Sequence, residues 1–402
     1  MAGTADANAI GTLRAAPPAR YAEIQVSIAP LFRSYVIVSR QQIRENYRAV
    51  CQTVGPGVTV AAVVKAEAYG HGMLEVARVL EAEGARWLAV SSVEEGVALR
   101  DAGLQADVLV MAGVLPYEWE VVLAKGLTPV VHALEELPLL EAAAARIEKP
   151  AAFHLKLDSG MGRLGTRASA AHIAEALEPL RAARLQGLMT HFASAADFTT
   201  PQTDQQVAAF EAMAAELRQR GIAPRFLHLS STNAMAYPRP QSWKSMVRPG
   251  HAIYGYVSPA RGSHRTPRLV VRPALTWRAR VVAVKDLPAG APVGYGASFV
   301  APQAMRVAVV AAGYADGVQH RLGNCGKVIA RGKLAPIVGT VSMDLTTIDV
   351  SAVPELRAGD EVTLLGREGD VVLDAQQIAK SAGTISYNVL CAIKPRVRRI
   401  YE

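Results

Sequence analysis

Cysteine is scarce: Cys51, Cys325 and Cys391 are the only three in 402 residues, and none falls in a CxxC pair. An odd, scattered set excludes a disulfide framework and a cysteine zinc site, and it fits a reducing compartment. Aromatic residues reach only 6%, and no lysine block accompanies the scattered arginines. The net charge of +8 and isoelectric point near 9.4 therefore read as solubility and not as a nucleic-acid surface. No apolar run approaches the ~20 residues that span a bilayer. Residues 1–34 carry Pro17 and Pro18 among alanines and single charges, without the unbroken apolar stretch of a secretion signal. A cytoplasmic protein that engages neither membrane nor nucleic acid is expected, with residues 1–34 as a loosely ordered extension.

What the chain does contain is apolar sequence in short periodic pieces. It is half hydrophobic and only 19% charged, a globular composition whose length suits a barrel-sized domain plus a smaller one. Eight apolar runs recur, each closed by a polar or glycine turn: Val58–Lys65, Trp87–Ser91, Asp107–Met111, Thr128–Val131, Ala152–Leu157, Leu185–His191, Arg225–Ser230 and Ser245–Arg248. Helical-period segments such as Met73–Gly84, Leu134–Ile147 and Gln202–Gly221 lie between them. Strands alternating with helices predict an α/β fold, a TIM-type (β/α)8 barrel over residues 35–265. Beyond it the grammar changes. Leu269–Val284, Arg306–Ala312, Lys327–Asp349 and Glu361–Leu365 are β-branched runs broken by turns, with one helical segment at Ala375–Ala382, so a mostly β C-terminal domain is expected over 266–402.

In such a barrel chemistry sits at the C-terminal ends of the strands. Lys65 closes the first run and is followed by Tyr-Gly-His-Gly at 69–72. A strand-end lysine can equally reach solvent, as one does in many proteins. The seventh run ends in His228-Leu-Ser-Ser-Thr and the eighth in Arg248-Pro-Gly-His. Ser231, Thr232 and the Gly250 amide there form a phosphate cup, although Ser-Ser-Thr alone is also an ordinary helix cap. A lysine able to form a Schiff base together with a phosphate cup at one barrel mouth points to pyridoxal phosphate (PLP).

At these residues the chain resembles a known family. Val64-Lys-Ala-Glu-Ala-Tyr-Gly-His-Gly is similar to the cofactor-lysine signature of alanine racemases. His154-Leu-Lys-Leu-Asp-Ser-Gly-Met-Gly-Arg-Leu-Gly, Thr190-His-Phe-Ala, Pro292-Val-Gly-Tyr-Gly-Ala, Gly313-Tyr-Ala-Asp-Gly, Val341-Ser-Met-Asp and Gly383-Thr-Ile-Ser-Tyr follow in the family's order. The resemblance spans about residues 35–402. It implies a cytoplasmic homodimer that racemises L-alanine to D-alanine for cell-wall peptidoglycan, with PLP held by Lys65. It also implies that Lys65 is one catalytic base and Tyr295 of the partner subunit the other, on opposite faces of the reacting carbon.

By the same matching, Tyr69, Ser231, Thr232, Tyr387 and the amides of Gly250 and His251 hold the phosphate. His191 stands by the ring, and Arg248 faces the pyridine nitrogen as a pure donor, which weakens the electron sink. Arg163 contacts cofactor and substrate carboxylate, Lys156 is a candidate for carbamylation, and the Met343 amide meets the substrate carboxylate across the subunit interface. Read bare, Tyr295 is a turn tyrosine, Arg248 an ion-paired strand end and Met343 a core methionine. His191 has no second histidine at metal spacing, and no metal is expected.

The chain departs from the family at Glu67 for asparagine, Asn388 for an acid, Ser342 for cysteine and His320 for arginine, with Arg321 beside the last. These changes bear on substrate range. A serine or broad-specificity racemase is the nearest alternative, because one methyl group discriminates by only ~1–3 kcal/mol. A decarboxylase of similar architecture is disfavoured by Arg248. A non-enzymatic PLP-binding barrel is disfavoured by the β domain that carries Tyr295 and Met343.

Overall fold

The computed structural model describes residues 32–237, 239–262 and 266–402; the expected extension over 1–34 lies almost wholly outside them. In chain order the strands are β1 (Ser34–Val38), then β2 (Thr59–Val63), β3 (Trp87–Val90), β4 (Asp107–Val110), β5 (Thr128–Val131), β6 (Ala151–Lys156), β7 (Ala183–Met189), β8 (Phe226–His228) and β9 (Met246–Val247). There follow β10 (Leu275–Leu287), β11 (Pro292–Val293), β12 (Phe299–Val300), β13 (Met305–Val310), β14 (Lys327–Ala330), β15 (Lys333–Pro336), β16 (Thr346–Asp349), β17 (Glu361–Glu368), β18 (Val371–Leu373) and β19 (Arg398–Tyr401).

The eight strands β2 to β9 form one parallel sheet in sequential order, and β9 returns to pair with β2. Ser245 N–H donates to Leu227 O (3.2 Å) and Arg248 N–H to Ser230 O (2.9 Å), which joins β8 to β9 and completes the barrel. Val60, Ala61, Leu88, Val108, Leu109, Val130, Phe153, Leu155 and Leu188 on these strands are all buried, since alternate side chains face the barrel interior and the surrounding helices. Connecting helices start where the side chains permit. Ser39 caps Arg40–Val54 by accepting from Gln42 N–H, and Ser92 with Glu95 forms a reciprocal capping box for Val93–Asp101. Pro138 breaks the expected segment Leu134–Ile147 into a 3-10 turn at Leu134–Glu136 and a helix from Leu137, since proline is accepted only in a helix's first turn.

The C-terminal β domain is organised around the long strand β10, which pairs with β13, β17 and β1. Its strand begins at Leu275 and not at Leu269, because Pro273 cannot donate to a ladder. The hairpin β11–β12 belongs to this domain and packs Val293 and Phe299 with Met305, Val307 and Val338. The strand Ser34–Val38, whose residues from Tyr35 on are expected in the barrel unit and whose Ser34 is expected in the extension, lies in this sheet, antiparallel to β10 and parallel to β19. Tyr35, Val36 and Val38 are buried there, and the Tyr35 hydroxyl donates to Glu361 (2.7 Å). The barrel is already closed by β2 and β9, so an extra strand finds its partners only on the β domain.

Candidate functional site

Lys65 follows β2, and the chain then turns against its natural hand. Ala66, Glu67, Ala68 and Tyr69 all have positive φ (51°, 54°, 52° and 55°), a conformation that costs L-residues roughly 1–2 kcal/mol each. Contacts hold it. Glu95, after capping its own helix, accepts from Ala66 N–H (2.7 Å) and Ser91 N–H (2.7 Å), and Glu67 accepts from Met73 N–H (3.3 Å) at the start of the next helix. Burial pushes the Lys65 ammonium below the ordinary lysine range, and the Arg163 guanidinium adds to this; Glu95 opposes it.

Arg248 follows β9 and is buried. Its Nη1 donates to His228 Nδ1 (2.7 Å) and His228 O (3.0 Å), and its Nη2 donates to Thr190 O (2.7 Å) and Leu229 O (3.2 Å), with His191 Nδ1 at 3.4 Å. A guanidinium only donates, so His228 Nδ1 accepts and its proton sits on Nε2. That proton reaches His154 Nδ1 at 2.8 Å. Arg248 is thus held by a chain of imidazoles that runs down into the barrel core. Both are kept neutral by burial, His154 at about 3 and His228 well below its usual value. His191 is held down to about 3 by burial and then by Arg248, Lys156, Arg163 and Lys65.

After β8, Thr232 Oγ1 accepts from Gly250 N–H (3.2 Å) and Ala252 N–H (3.1 Å). The Gly250 amide is therefore engaged by the hydroxyl, whose own proton remains to be donated. A Cβ at Gly250 would collide with the Tyr69 hydroxyl, so the cup closes only around glycine. Tyr69 stacks on Tyr254 (ring centroids 4.8 Å) and approaches Tyr387 (5.9 Å). His251 stacks on Tyr387 (3.9 Å) and meets Ser386 Oγ (3.2 Å).

Lys156 ends β6 and is lowered to about 8, by burial first and then by Arg163 and Arg248. The strand register places His132 beside it, one step beyond Val131 and Leu155. His132 Nε2 bonds Met111 O (3.1 Å), while its buried Nδ1 has no partner among the described residues. Arg163 rides on a loop organised by Asp158. One carboxylate oxygen accepts from Gly160, Met161 and Gly162 N–H (3.2, 2.9 and 2.9 Å) and the other from Arg167 (2.8 Å), which holds Asp158 down to about 2.

Lys65, Tyr69, Lys156, Arg163, His191, Ser231, Thr232, Arg248, Gly250, His251 and Tyr387 all line one cavity of about 650 Å³. Tyr295 and Met343 do not. Tyr295 lies after β11, between Gly294 and Gly296, and is 76% exposed; Met343, in the loop before β16, is 54% exposed. Leu164, Ile385 and Cys391 also line the cavity without having been singled out, and His154 and Glu95 support it from behind. His154 stood in a recognised motif, but only the folded barrel brings it to His228. The donor set fits PLP: an amine, a hydroxyl cup that admits only glycine at 250, and a buried guanidinium lining the same cavity. Among the described residues no cluster of three or more His, Cys, Asp or Glu side chains is placed to hold a metal ion, and no helix is long and apolar enough to cross a membrane.

Comparison with known proteins agrees along nearly the whole chain. Residues 38–259 match the family described as "Alanine racemase, N-terminal domain" and residues 274–401 the family "Alanine racemase, C-terminal domain". A protein of Syntrophobacter fumaroxidans named "Alanine racemase" is 38% identical over 362 residues, 90% of this chain and 95% of its own length. The solved structure of an alanine racemase from Streptomyces coelicolor superposes with a TM-score of 0.86 at 30% identity, covering 93% of this chain and 99% of that one. Another, from Bartonella henselae and described "with covalently bound pyridoxal phosphate", has a TM-score of 0.82 at 26% identity over 92% of this chain and 100% of that one.

Proposed function

This chain belongs to the alanine racemase family, and from that premise we propose that it interconverts L- and D-alanine with PLP at Lys65, using Lys65 and a partner subunit's Tyr295 as its two bases. PLP, when bound, supplies a conjugated ring that takes up the electron pair left as the Cα–H bond breaks. The single observation that carries the reading is the convergence of Lys65, the Thr232 hydroxyl cup and the buried Arg248 on one cavity.

The chain's own groups divide the work. Lys65, its ammonium disfavoured by burial and by Arg163, has an amine free to take a proton from one face of the substrate carbon. Ser231, Thr232, Tyr69 and Tyr387 bind the phosphate, with the amide of His251; the Gly250 amide, expected from sequence to do the same, instead donates to Thr232 Oγ1 and so turns that hydroxyl's own proton toward the phosphate. Arg248 presents a fixed donor to the ring nitrogen, because both of its Nη atoms are tied to the barrel. His191, neutral, packs beside the ring. Arg163 binds the substrate carboxylate, and Lys156, neutral part of the time near pH 8, adds through its amine nitrogen to carbon dioxide and gives up a proton to water, becoming a carbamate anion that draws Arg163 into line.

The opposite face requires a second base, and among the described residues the only tyrosines lining the cavity are Tyr69 and Tyr387, both assigned to the phosphate. Tyr295 and Met343 stand exposed on the β domain. A homodimer in which each β domain caps the other barrel brings Tyr295 and the Met343 amide to the site.

Circular dichroism of L-alanine and of L-serine incubated with PLP-loaded protein tests activity and substrate together. Loss of the alanine signal with serine untouched is expected; serine turnover alone overturns the alanine assignment. Borohydride reduction and peptide mapping should then find the cofactor on Lys65, and a label on another lysine refutes that role.

A further inference from the structure

The strained turn that follows Lys65 is gripped from the far end of the chain. Arg399, on β19, donates from Nε to Gly70 O (3.2 Å), a contact spanning 329 residues. The same guanidinium donates to Ile393 O (2.9 Å) through Nη2, and to Lys394 O (2.8 Å) and Val397 O (2.8 Å) through Nη1. One side chain thereby ties the exit of the left-handed turn to the segment that leads from the helix Ser386–Cys391 into β19. Four carbonyls exhaust most of what a guanidinium fork offers, and a lysine cannot span them.

Packing points the same way independently of these bonds. A Cβ on Gly70 would strike the Leu390 carbonyl, and one on Gly72 would strike the Tyr401 hydroxyl. The two glycines around His71 therefore lie flush against the C-terminal segment. Glu67, on the turn itself, attracts Arg399 electrostatically. Nothing local in Ala-Glu-Ala-Tyr favours positive φ, so contacts such as these have to supply the stability.

We infer that Arg399 is a positioning residue for Lys65: from the last strand it fixes the Ala66–Tyr69 turn, and with it the direction from which the lysine amine and the Tyr69 hydroxyl enter the cavity. This rests on Lys65 as the cofactor lysine. The turn's bonds, Gly70 N–H to Ala66 O, His71 N–H to Ala68 O and Gly72 N–H to Glu67 O, report on the grip directly.

The test compares the full-length protein with Arg399→Met and Arg399→Lys by amide hydrogen exchange without cofactor, and by PLP titration. Arg399→Met should lose protection at Gly70, His71 and Gly72 by about tenfold to a hundredfold, the worth of one charge-assisted hydrogen bond, while β4 and β5 keep theirs. Its PLP dissociation constant should rise by a similar factor, with Arg399→Lys between. Unchanged exchange at the three amides overturns the grip, and faster exchange with unchanged PLP affinity overturns the link to Lys65. If Arg399→Met does not fold, the same two readouts on Arg399→Lys decide. A wild-type protein that binds no PLP refutes the Lys65 reading alone, and the exchange data then still judge the grip.

Discussion

Gly187→Ala should be far more damaging than one methyl group suggests. An alanine Cβ at 187 would lie 2.6–2.7 Å from Nδ1, Cε1 and Cγ of His154, inside any normal contact distance. The histidine is fully buried and has nowhere to go, because the rings of Trp87 and Phe226 stand 5.7 and 5.8 Å from its own. Two costs follow. Overpacking a close-packed core takes roughly 1–3 kcal/mol. Breaking the 2.8 Å bond to His228 leaves a buried donor unpaired, another ~1–3 kcal/mol. Equilibrium urea unfolding should therefore show a loss of about 2–6 kcal/mol at an unchanged slope. In a His154→Ala background the same substitution should cost no more than ~0.5 kcal/mol, because the colliding ring is gone. A Gly187→Ala protein within ~0.5 kcal/mol of wild type would refute the reasoning. Where the variant folds, kcat should fall as well, because His228 Nε2–H has lost the acceptor that keeps Nδ1 available to Arg248.

Acid should unfold the protein steeply. His71 and His132 are lowered to about 4 and His154, His191 and His251 to about 3, with His228 lower than its usual value too. Depressed folded values mean that the unfolded chain binds the protons, so stability is full above ~6.5 and falls as pH drops from there toward the folded values. The six together give a slope of at most about 8 kcal/mol per pH unit near pH 5, and a melting temperature insensitive to pH between 6 and 4 would contradict it. Tyr295→Phe should slow racemisation by ~10²–10⁴ and split the two enantiomers in deuterated solvent. Washout into D-alanine through Lys65 should persist while L-alanine exchanges far more slowly, and equal residual exchange for both would reject the two-base assignment.

The local signals in the sequence are enough for the barrel, the β domain and part of the cavity lining, while Tyr69, Lys156, Arg163, His191 and Tyr387 follow from the resemblance to the family. Strand and helix periods are properties of neighbouring residues, and strand ends are where a parallel barrel must place its chemistry, so Lys65, Arg248, Ser231 and Thr232 could be located from spacing alone. The boundary at Ser34–Val38 could not. An apolar alternating strand states that it pairs, but only the closed barrel and the free edge of β10 decide with whom. The left-handed turn at Ala66–Tyr69 was equally hidden, since its residues have no intrinsic preference for positive φ and owe it to Glu95, Arg399 and the close approach of Leu390 and Tyr401. The imidazole chain behind Arg248 joins residues 74 and 20 positions apart, and its tautomers follow from which atoms meet in the core. Charge state was settled at the same level. Lys65 and Lys156 are lysines like any other in the sequence, and only burial beside Arg163, a tertiary fact, lowers both.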